Sequence, residues 1–442
     1  MNRFFLAAAA LLSSVTAASA QKQTYSLAES FDEKNVYRVE LKSSIAGKIT
    51  IVVDPAKPPQ VVEMTGSSNI VYDERSLPVD EEKLKKSIRA YRIVEFGRTI
   101  GGSEQKATIR EGVRRMVVLR AENGKKGPFS PDGPLTYGEI DIVKNDLFSP
   151  SLVPGLLPPK TVAVGDTWSA TPAAVTDLTD NDAIAKGELK VTFAAVVKLN
   201  DRPHAKLTLQ GTIEGANEDG PNRQTLDGTA YFDLDRKRLG HLKLSGVQEL
   251  LDSKGKTTGK IEGTFTMTRE EATKIDTITG DGIKGVSLNP NDDNTPLLYD
   301  RPDLGLKLTY PRRWRIGTTS GPQVNFEEPG GGGVLFTMLA AKQFPTAKQF
   351  REDVKSYLAK KKLRVGPVGE LERLVDKPAI DRFGVEVQYD DGASRMEYAI
   401  IEGSEGGATM AARLPAKSAK ALQPDLERML KSIKLSKPVE SK

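Results

Sequence analysis

Leu226-Asp227-Gly228-Thr229-Ala230-Tyr231-Phe232-Asp233-Leu234 places Leu226, Ala230, Phe232 and Leu234 on one side of an extended chain and Asp227, Thr229, Tyr231 and Asp233 on the other. A period of two is the mark of a strand with one apolar and one polar face. The pattern continues in both directions. Upstream, Leu207, Leu209 and Ile213 alternate with Lys206, Thr208 and Thr212, and Leu189, Val191 and Phe193 with Lys190 and Thr192. Downstream, Leu242 and Leu244 alternate with His241, Lys243 and Ser245, and Ile261, Phe265 and Met267 with Glu262, Thr264 and Thr266. Five such strands in succession predict an antiparallel meander that curls over a helix, a second sheet or an apolar ligand. No strict repeat period accompanies them, which excludes a solenoid or propeller.

Before the meander, Val36 to Leu41 and Ile49 to Val53 read as an opening pair of strands. Leu84, Ile88 and Tyr91 lie four and three residues apart, predicting a helix over Pro78 to Phe96. Thr136-Tyr137-Gly138-Glu139 has the form of a capping box and predicts a short helix to about Asn145. Pro150, Pro154, Pro158 and Pro159 mark an irregular connection.

After the meander, Ile283 to Pro296 clusters Asn, Asp and Pro without an apolar period, which is the chemistry of a linker. Beyond it, Thr346 can cap a helix carrying Phe350, Val354 and Leu358, and Ser418 to Leu435 stripes a second helix with Leu422, Leu426, Met429, Leu430 and Ile433. Strand-like segments near Val385–Tyr389, Met396–Ile401 and Thr409–Ala412 lie between them. The expected fold class is α+β multidomain: an N-terminal antiparallel β meander or curled sheet with short helices, then an α/β sandwich with an antiparallel sheet and two amphipathic helices.

The 442 residues have room for two or three domains, and 38% hydrophobic with 28% charged residues describes a globular chain. With no cysteine, disulfides, thiolate metal sites and cysteine nucleophiles are excluded, and His204 and His241 are the only histidines. Residues 298–442 hold 25 Lys+Arg against 19 Asp+Glu, whereas residues 21–297 carry a slight acidic excess. At the N-terminus, Arg3 precedes an apolar run from Phe4 to Leu12, and Ala18-Ser19-Ala20 offers a small-x-small cleavage site. That is a signal peptide of bacterial type, predicting a mature chain from Gln21 in the periplasm or secreted. No later apolar run approaches the ~20 residues of a membrane helix. The expected division is a signal peptide at 1–20, a β-rich domain at 21–282, a linker at 283–297, an α+β domain at 298–437 and a tail at 438–442.

Leu304-Gly305-Leu306-Lys307-Leu308-Thr309-Tyr310-Pro311, followed by Trp314, resembles the entry of the PsbP-like superfamily, a Gly-apolar-x-apolar-x-Tyr-Pro strand with a Trp shortly after. Val324-Asn325-Phe326 and Gly333 to Met338 would be the next strands. The resemblance implies binding to other proteins and no chemistry, and it carries over no partner-contact residue. Val162 to Trp168, leading into the meander, is similar to exported bacterial β-rich domains of unknown function.

The candidate chemistry is sparse. Glu402-Gly403-Ser404-Glu405-Gly406 puts Glu where a nucleophile elbow needs its first Gly, so it reads as a hairpin turn. Asp177 to Glu188 has acids at the first and twelfth positions of a calcium loop but Asp182 where the turn needs Gly. Gly255-Lys256-Thr257 lacks the upstream glycine of a phosphate loop, and Gly330 to Gly333 reads as a hairpin tip. His204 and His241 read as sheet residues without an acidic cluster at metal-ligand spacing. No catalytic residue, metal or cofactor is therefore expected, and no nucleic-acid partner.

Two surfaces remain. Lys348, Arg351, Lys355, Lys360, Lys361, Lys362 and Arg364 crowd one helix and its exit, a candidate docking face for an acidic protein or an anionic surface. Phe193, Leu209, Phe232, Leu244 and Phe265 would line a pocket if the curled sheet encloses one. The leading expectation is an exported non-enzymatic adaptor docking on a protein partner in the cell envelope. The alternative is a carrier or sensor of a lipid-like apolar ligand held in the curled sheet.

Overall fold

The computed structural model describes residues 22–29, 34–52, 57–78, 85–120, 126–144, 155–217, 219–273, 275–317, 319–361 and 363–438. The expected signal peptide, Lys362 and most of the tail lie outside them. The described chain is mostly β, with four α-helices and several antiparallel sheets, none of them closed.

Eight long strands build the largest sheet: β1 (Val36–Ile51), β2 (Gln60–Leu77), β3 (Lys85–Ile100), β4 (Ala183–Leu199), β5 (Arg202–Asn217), β6 (Gly220–Asp233), β7 (Arg238–Leu251) and β8 (Thr257–Ala272). The spatial order is β4-β5-β6-β7-β8-β1-β2-β3, all antiparallel. Short strands Thr167–Ser169 beyond β4, and Arg115–Arg120 and Lys126–Phe129 beyond β3, extend it, and Ser103–Ala107 folds back beside the end of β3. The five-strand meander is thus present as β4 to β8. Its last strand pairs with the first long strand of the chain, Gly263 opposite Ile45.

Glycine is required where neighbouring strands run closest. A Cβ on Gly211 would lie 2.1 Å from the Glu188 carbonyl oxygen, and one on Gly228 would lie 2.6 Å from that of Lys243.

Two expectations are corrected here. The opening pair of strands is one continuous strand, β1. Its polar middle is tied on both sides, Ser43 Oγ lying 2.7 Å from Ser68 Oγ and Ser44 Oγ 2.8 Å from Thr264 Oγ1. The helix expected at Pro78 to Phe96 is replaced over its described part by strand β3. Ile88 and Tyr91 there serve two separate apolar clusters, and a register shift at Val71/Tyr72 disturbs the alternation. Apolar residues needed on both faces of a strand imitate helical spacing.

Helices α1 (Tyr137–Lys144) and α2 (Pro172–Thr179) belong to the main core with the apolar face of β4 to β8. The capping box before α1 is formed: the Thr136 N–H donates to Glu139 at 2.8 Å, and the Glu139 N–H donates to Thr136 Oγ1 at 3.2 Å. Elsewhere in the sheet, Val36, Leu77, Ile88, Val117, Leu119 and Phe129 are joined by Ile278, with Ile275, Ile283 and Leu288 packed against them. Residues 275–288 therefore pack against β1 to β3 and the short strands beyond.

The C-terminal part opens with β9 (Leu297–Arg301) and β10 (Leu306–Tyr310), an antiparallel pair. Leu297 and Leu298 also pair in parallel with Leu135 and Thr136, so one small sheet draws on both halves of the chain. Arg312 adds to this seam, donating to the carbonyls of Thr295 at 2.7 Å and Pro128 at 2.5 Å. Burial lowers its pKa to about 10.

A second large sheet contains β11 (Gln323–Glu328), β12 (Gly332–Ala340), β13 (Ala379–Tyr389), β14 (Gly392–Gly403) and β15 (Gly406–Pro415), in the order β11-β12-β15-β14-β13. Helix α3 (Ala347–Lys360) packs through Val354 and Leu358 with Phe383, Val385 and Val387. Helix α4 (Ala416–Ser432) packs Leu422, Leu426, Met429 and Leu430 into the main core with Ile380, Ala399 and Met410. Residues 380 and 383 point to opposite faces of β13, so the sheet lies between the two helices. Trp314 is 1% exposed and donates its indole N–H to Asp425 of α4 at 2.8 Å.

Candidate protein-docking face

Helix α3 starts at Thr346, where a reciprocal capping box with Gln349 satisfies its first amides. Its inward side is aromatic. The Phe350 ring meets Phe383 at 5.9 Å and Tyr398 at 6.3 Å, and Phe383 stacks on Tyr398 at 5.3 Å. Burial raises the Tyr398 hydroxyl to about 12. That anchoring fixes which side of the helix faces solvent.

The basic residues on α3 and at its exit divide into two groups. Arg351 is turned inward: its guanidinium donates to the Gly369 carbonyl at 2.8 Å and to Glu370 at 2.8 Å. It holds the loop after the helix and presents little charge to solvent. Lys355 is paired with Glu352 at 2.7 Å. Lys348, Lys360, Lys361 and Arg364 are exposed.

Between them stands a residue that the sequence reading overlooked. Tyr357 is 56% exposed, and the Lys361 ammonium sits 5.2 Å from its ring centre. Arg364 pairs in register with Gln388 and therefore adjoins Tyr389. The Arg413 guanidinium lies 4.4 Å over the Tyr389 ring and also pairs with Asp391. Burial raises the Tyr389 hydroxyl, Arg413 opposes that shift, and the nearby Tyr357 reinforces it. Two tyrosines among guanidinium and ammonium groups offer flat apolar area and positive charge in one patch. The i, i+4 spacing of Tyr357 and Lys361 was the available signal.

Phe193, Leu209, Phe232, Leu244 and Phe265 are each at most 5% exposed and share the main core with Ala174, Val175 and Leu178 of α2. The Tyr25 ring packs edge-on against Phe193 at 5.5 Å.

The two histidines do not meet, because β6 separates their strands. His204 is buried, its Nδ1 3.0 Å from the Arg202 carbonyl and its Nε2 3.7 Å from Asp233. His241 is half-buried, and burial followed by Lys243 lowers its pKa. Among the described residues no group of three or more His, Asp or Glu could hold a metal ion. The Asp177 to Glu188 stretch runs from the end of α2 through the connection at residues 180–182 into β4, and Asn181 is bound to Asn222 at 2.8 Å. Residues 255–257 lie at the β7–β8 connection, 330–331 form the β11–β12 turn, and 404–405 connect β14 to β15.

No family model and no curated protein matches the chain. Among solved structures, the cyanobacterial PsbP (CyanoP) from Synechocystis sp. PCC 6803 is similar at 12% identity and a TM-score of 0.26, over 32% of this chain and 92% of that one. Lipovitellin is similar at 12% identity and a TM-score of 0.33, over 60% of this chain, which spans 28% of that structure. DynF from the dynemicin biosynthesis pathway of Micromonospora chersina is similar at 9% identity and a TM-score of 0.14, over 57% of this chain and 86% of that one.

Proposed function

We propose that this chain is an exported, non-enzymatic adaptor that docks on a protein partner of the cell envelope through the exposed side of α3. In this reading residues 1–20 are a cleaved signal peptide. A β-rich domain (21–282) and a PsbP-like α+β domain (298–437) are joined by residues 283–297. The supporting observation is the exposure of Tyr357 between Lys361 and the Tyr389–Arg413 pair. Such aromatic and arginine groups anchor protein interfaces, and the flanking Lys348, Lys360 and Arg364 favour an acidic partner segment. The carrier reading has less support, because the five residues that would line its pocket are buried in one apolar core with residues of α2.

The test places a photo-crosslinking amino acid at Tyr357 and follows its adducts in the producing cell. A single protein adduct that disappears in the K360E/K361E/R364E variant is expected. Absence of any adduct, or one indifferent to those charges, would remove the α3 face from the proposal.

A further inference from the structure

Strand β4 is the last long strand on its side of the large sheet, and its outer margin is covered only in part. Thr167–Ser169 pairs with residues 190–192. The Phe193 carbonyl then accepts the Gly165 N–H at 2.7 Å, and the Phe193 N–H donates to the Asp166 carbonyl at 2.9 Å. Beyond Phe193, no strand among the described residues pairs with β4 on that side. After a register shift at Phe193/Ala195, the strand runs in regular register with β5 alone, from Ala195 opposite Lys206 to Leu199 opposite Arg202.

The turn that ends β4 fixes which backbone groups face outward. Asn200 and Asp201, with φ of 47° and 62°, form the tight turn between β4 and β5. Such a turn closes on a hydrogen-bonded pair, here Leu199 with Arg202, and hydrogen-bonded pairs then alternate along the ladder. Leu199, Val197 and Ala195 therefore spend their N–H and C=O groups on β5, and those of Val196 and Lys198 point to the uncovered margin.

Sheet margins are ordinarily blunted by charge, proline or irregular backbone. The other margin of this sheet, Lys126–Phe129, carries Lys126 and Pro128. In the C-terminal sheet, the marginal strand Glu372–Asp376 carries Glu372, Arg373 and Asp376. The far end of β4 itself has Lys186, Gly187 and Glu188 beside a register shift. By contrast, Ala195-Val196-Val197-Lys198-Leu199 holds a single charge, which Asp201 pairs at 3.0 Å. Val196 and Leu199 are each 38% exposed.

We propose that two copies of this chain pair antiparallel through this stretch, about a two-fold axis at Val197, joining their large sheets. That register sets Val196 opposite Lys198 of the second copy, so the outward backbone groups of each meet. Val197 faces its own counterpart and Ala195 faces Leu199, giving an apolar strip along one side of the seam. No like charges stand opposite one another, and the lysine stem covers Val196. The length matches as well. A longer visiting strand would run into the turn at Gly165 and Asp166, whereas β4 stops at its own turn after Leu199. That match favours a second copy over an unrelated extended segment. Helix α3 lies on the other large sheet, so the proposal stands apart from its docking role.

The chain has no cysteine, so a single introduced cysteine reports on its own position. Under mild oxidation V197C should cross-link into a covalent dimer, because residues facing each other across the axis approach to disulfide distance. K198C and K243C have no such counterpart and should cross-link roughly tenfold more slowly or less. Sedimentation of the unmodified protein from about 1 to 200 μM should show reversible dimerisation, since so short a contact lies at the small end of specific interfaces. V196P removes an outward N–H without removing a bond to β5, and should weaken dimerisation roughly tenfold or more. K360E/K361E on α3 should leave it unchanged. A monomer throughout with no V197C cross-link, or equal cross-linking of all three cysteines, would overturn the proposal. So would dimerisation indifferent to V196P in a variant with unaltered circular dichroism, or dimerisation lost through K360E/K361E. If V196P does not fold, the ranking of the three cysteines decides alone.

Discussion

The two large sheets solve the same problem in different ways. The C-terminal sheet lies between α3 and α4, and residues 397–401 of β14 are buried on both faces. The eight long strands of the N-terminal sheet are each longer than any strand of the C-terminal one, and their protein cover is uneven. Helices α1 and α2 join its apolar face, and residues 275–288 cover part of β1 to β3. Toward the β1–β2 and β7–β8 tips, apolar residues such as Ile45, Ile49 and Ile261 are only half-buried. Burial on both faces makes a rigid support, whereas a strand that outruns its core leaves surface for something else to contact.

The sharpest way to break this comparison is to weaken the C-terminal core and watch the other sheet. Trp314→Ala should cost about 3–5 kcal/mol, the range for deleting a large buried aromatic. It also leaves Trp168 as the sole tryptophan, reporting on the N-terminal sheet from its hydrogen bond to the Leu156 carbonyl at 2.9 Å. Because Trp314 shares one contiguous core with Phe193 and Phe232, one denaturant transition is expected at a lower midpoint. A Trp168 signal that stays at its original midpoint would show two independent cores.

The glycines of the large sheet come next. Gly211→Ala should cost about 1–3 kcal/mol, since its Cβ would meet a backbone oxygen that cannot rotate away. Gly333, at the start of β12, has nothing within 4 Å of its Cβ position, so Gly333→Ala should be near neutral. Urea titrations of both variants measure the contrast.

A pH experiment sharpens it further. Burial raises the Glu139 pKa, but hydrogen bonds from Arg110 and from the backbone N–H groups of Thr136 and Arg110 outweigh burial and hold it below its ordinary 4.5. A carboxyl depressed on folding stabilises above its unfolded pKa, and that contribution fades as pH falls through the folded value. Glu139→Gln should thus cost about 1.5–3 kcal/mol at neutral pH, the scale of a hydrogen bond to a charged group. The deficit should shrink as pH is lowered from 4.5. A constant deficit would assign the loss to shape and not to charge.

The smallest effect is expected on the exposed side of α3. K360E/K361E should change stability by no more than about 0.5 kcal/mol, as exposed substitutions usually do. Thermal denaturation checks it; a larger loss would mean that these lysines support the helix.

Much of this architecture was legible from alternation alone. The meander, both C-terminal helices, the capping box at Thr136 and the cap at Thr346 follow from local patterns, because each is satisfied by neighbours in sequence. Strand β3 was hidden, since its residues serve an apolar cluster on each face. The union of β8 with β1 was equally hidden: Gly263 and Ile45 carry no mark of each other. The docking patch was half visible. Its lysines stand out as a run, but Tyr389 and Arg413 join Tyr357 only through the fold, and Arg351 looks like its neighbours until the loop it binds is in place.

The pairing of β8 with β1 also dictates a timetable. As the chain is synthesised, β1 can find β2 at once but must wait for residues 257–272 before its other side is covered. Until then a long strand carries an open edge, the condition under which chains stick to one another. Contacts spanning more than two hundred residues are slow to close. The whole sheet therefore completes late, and the open side of β1 is where misassembly threatens during that interval.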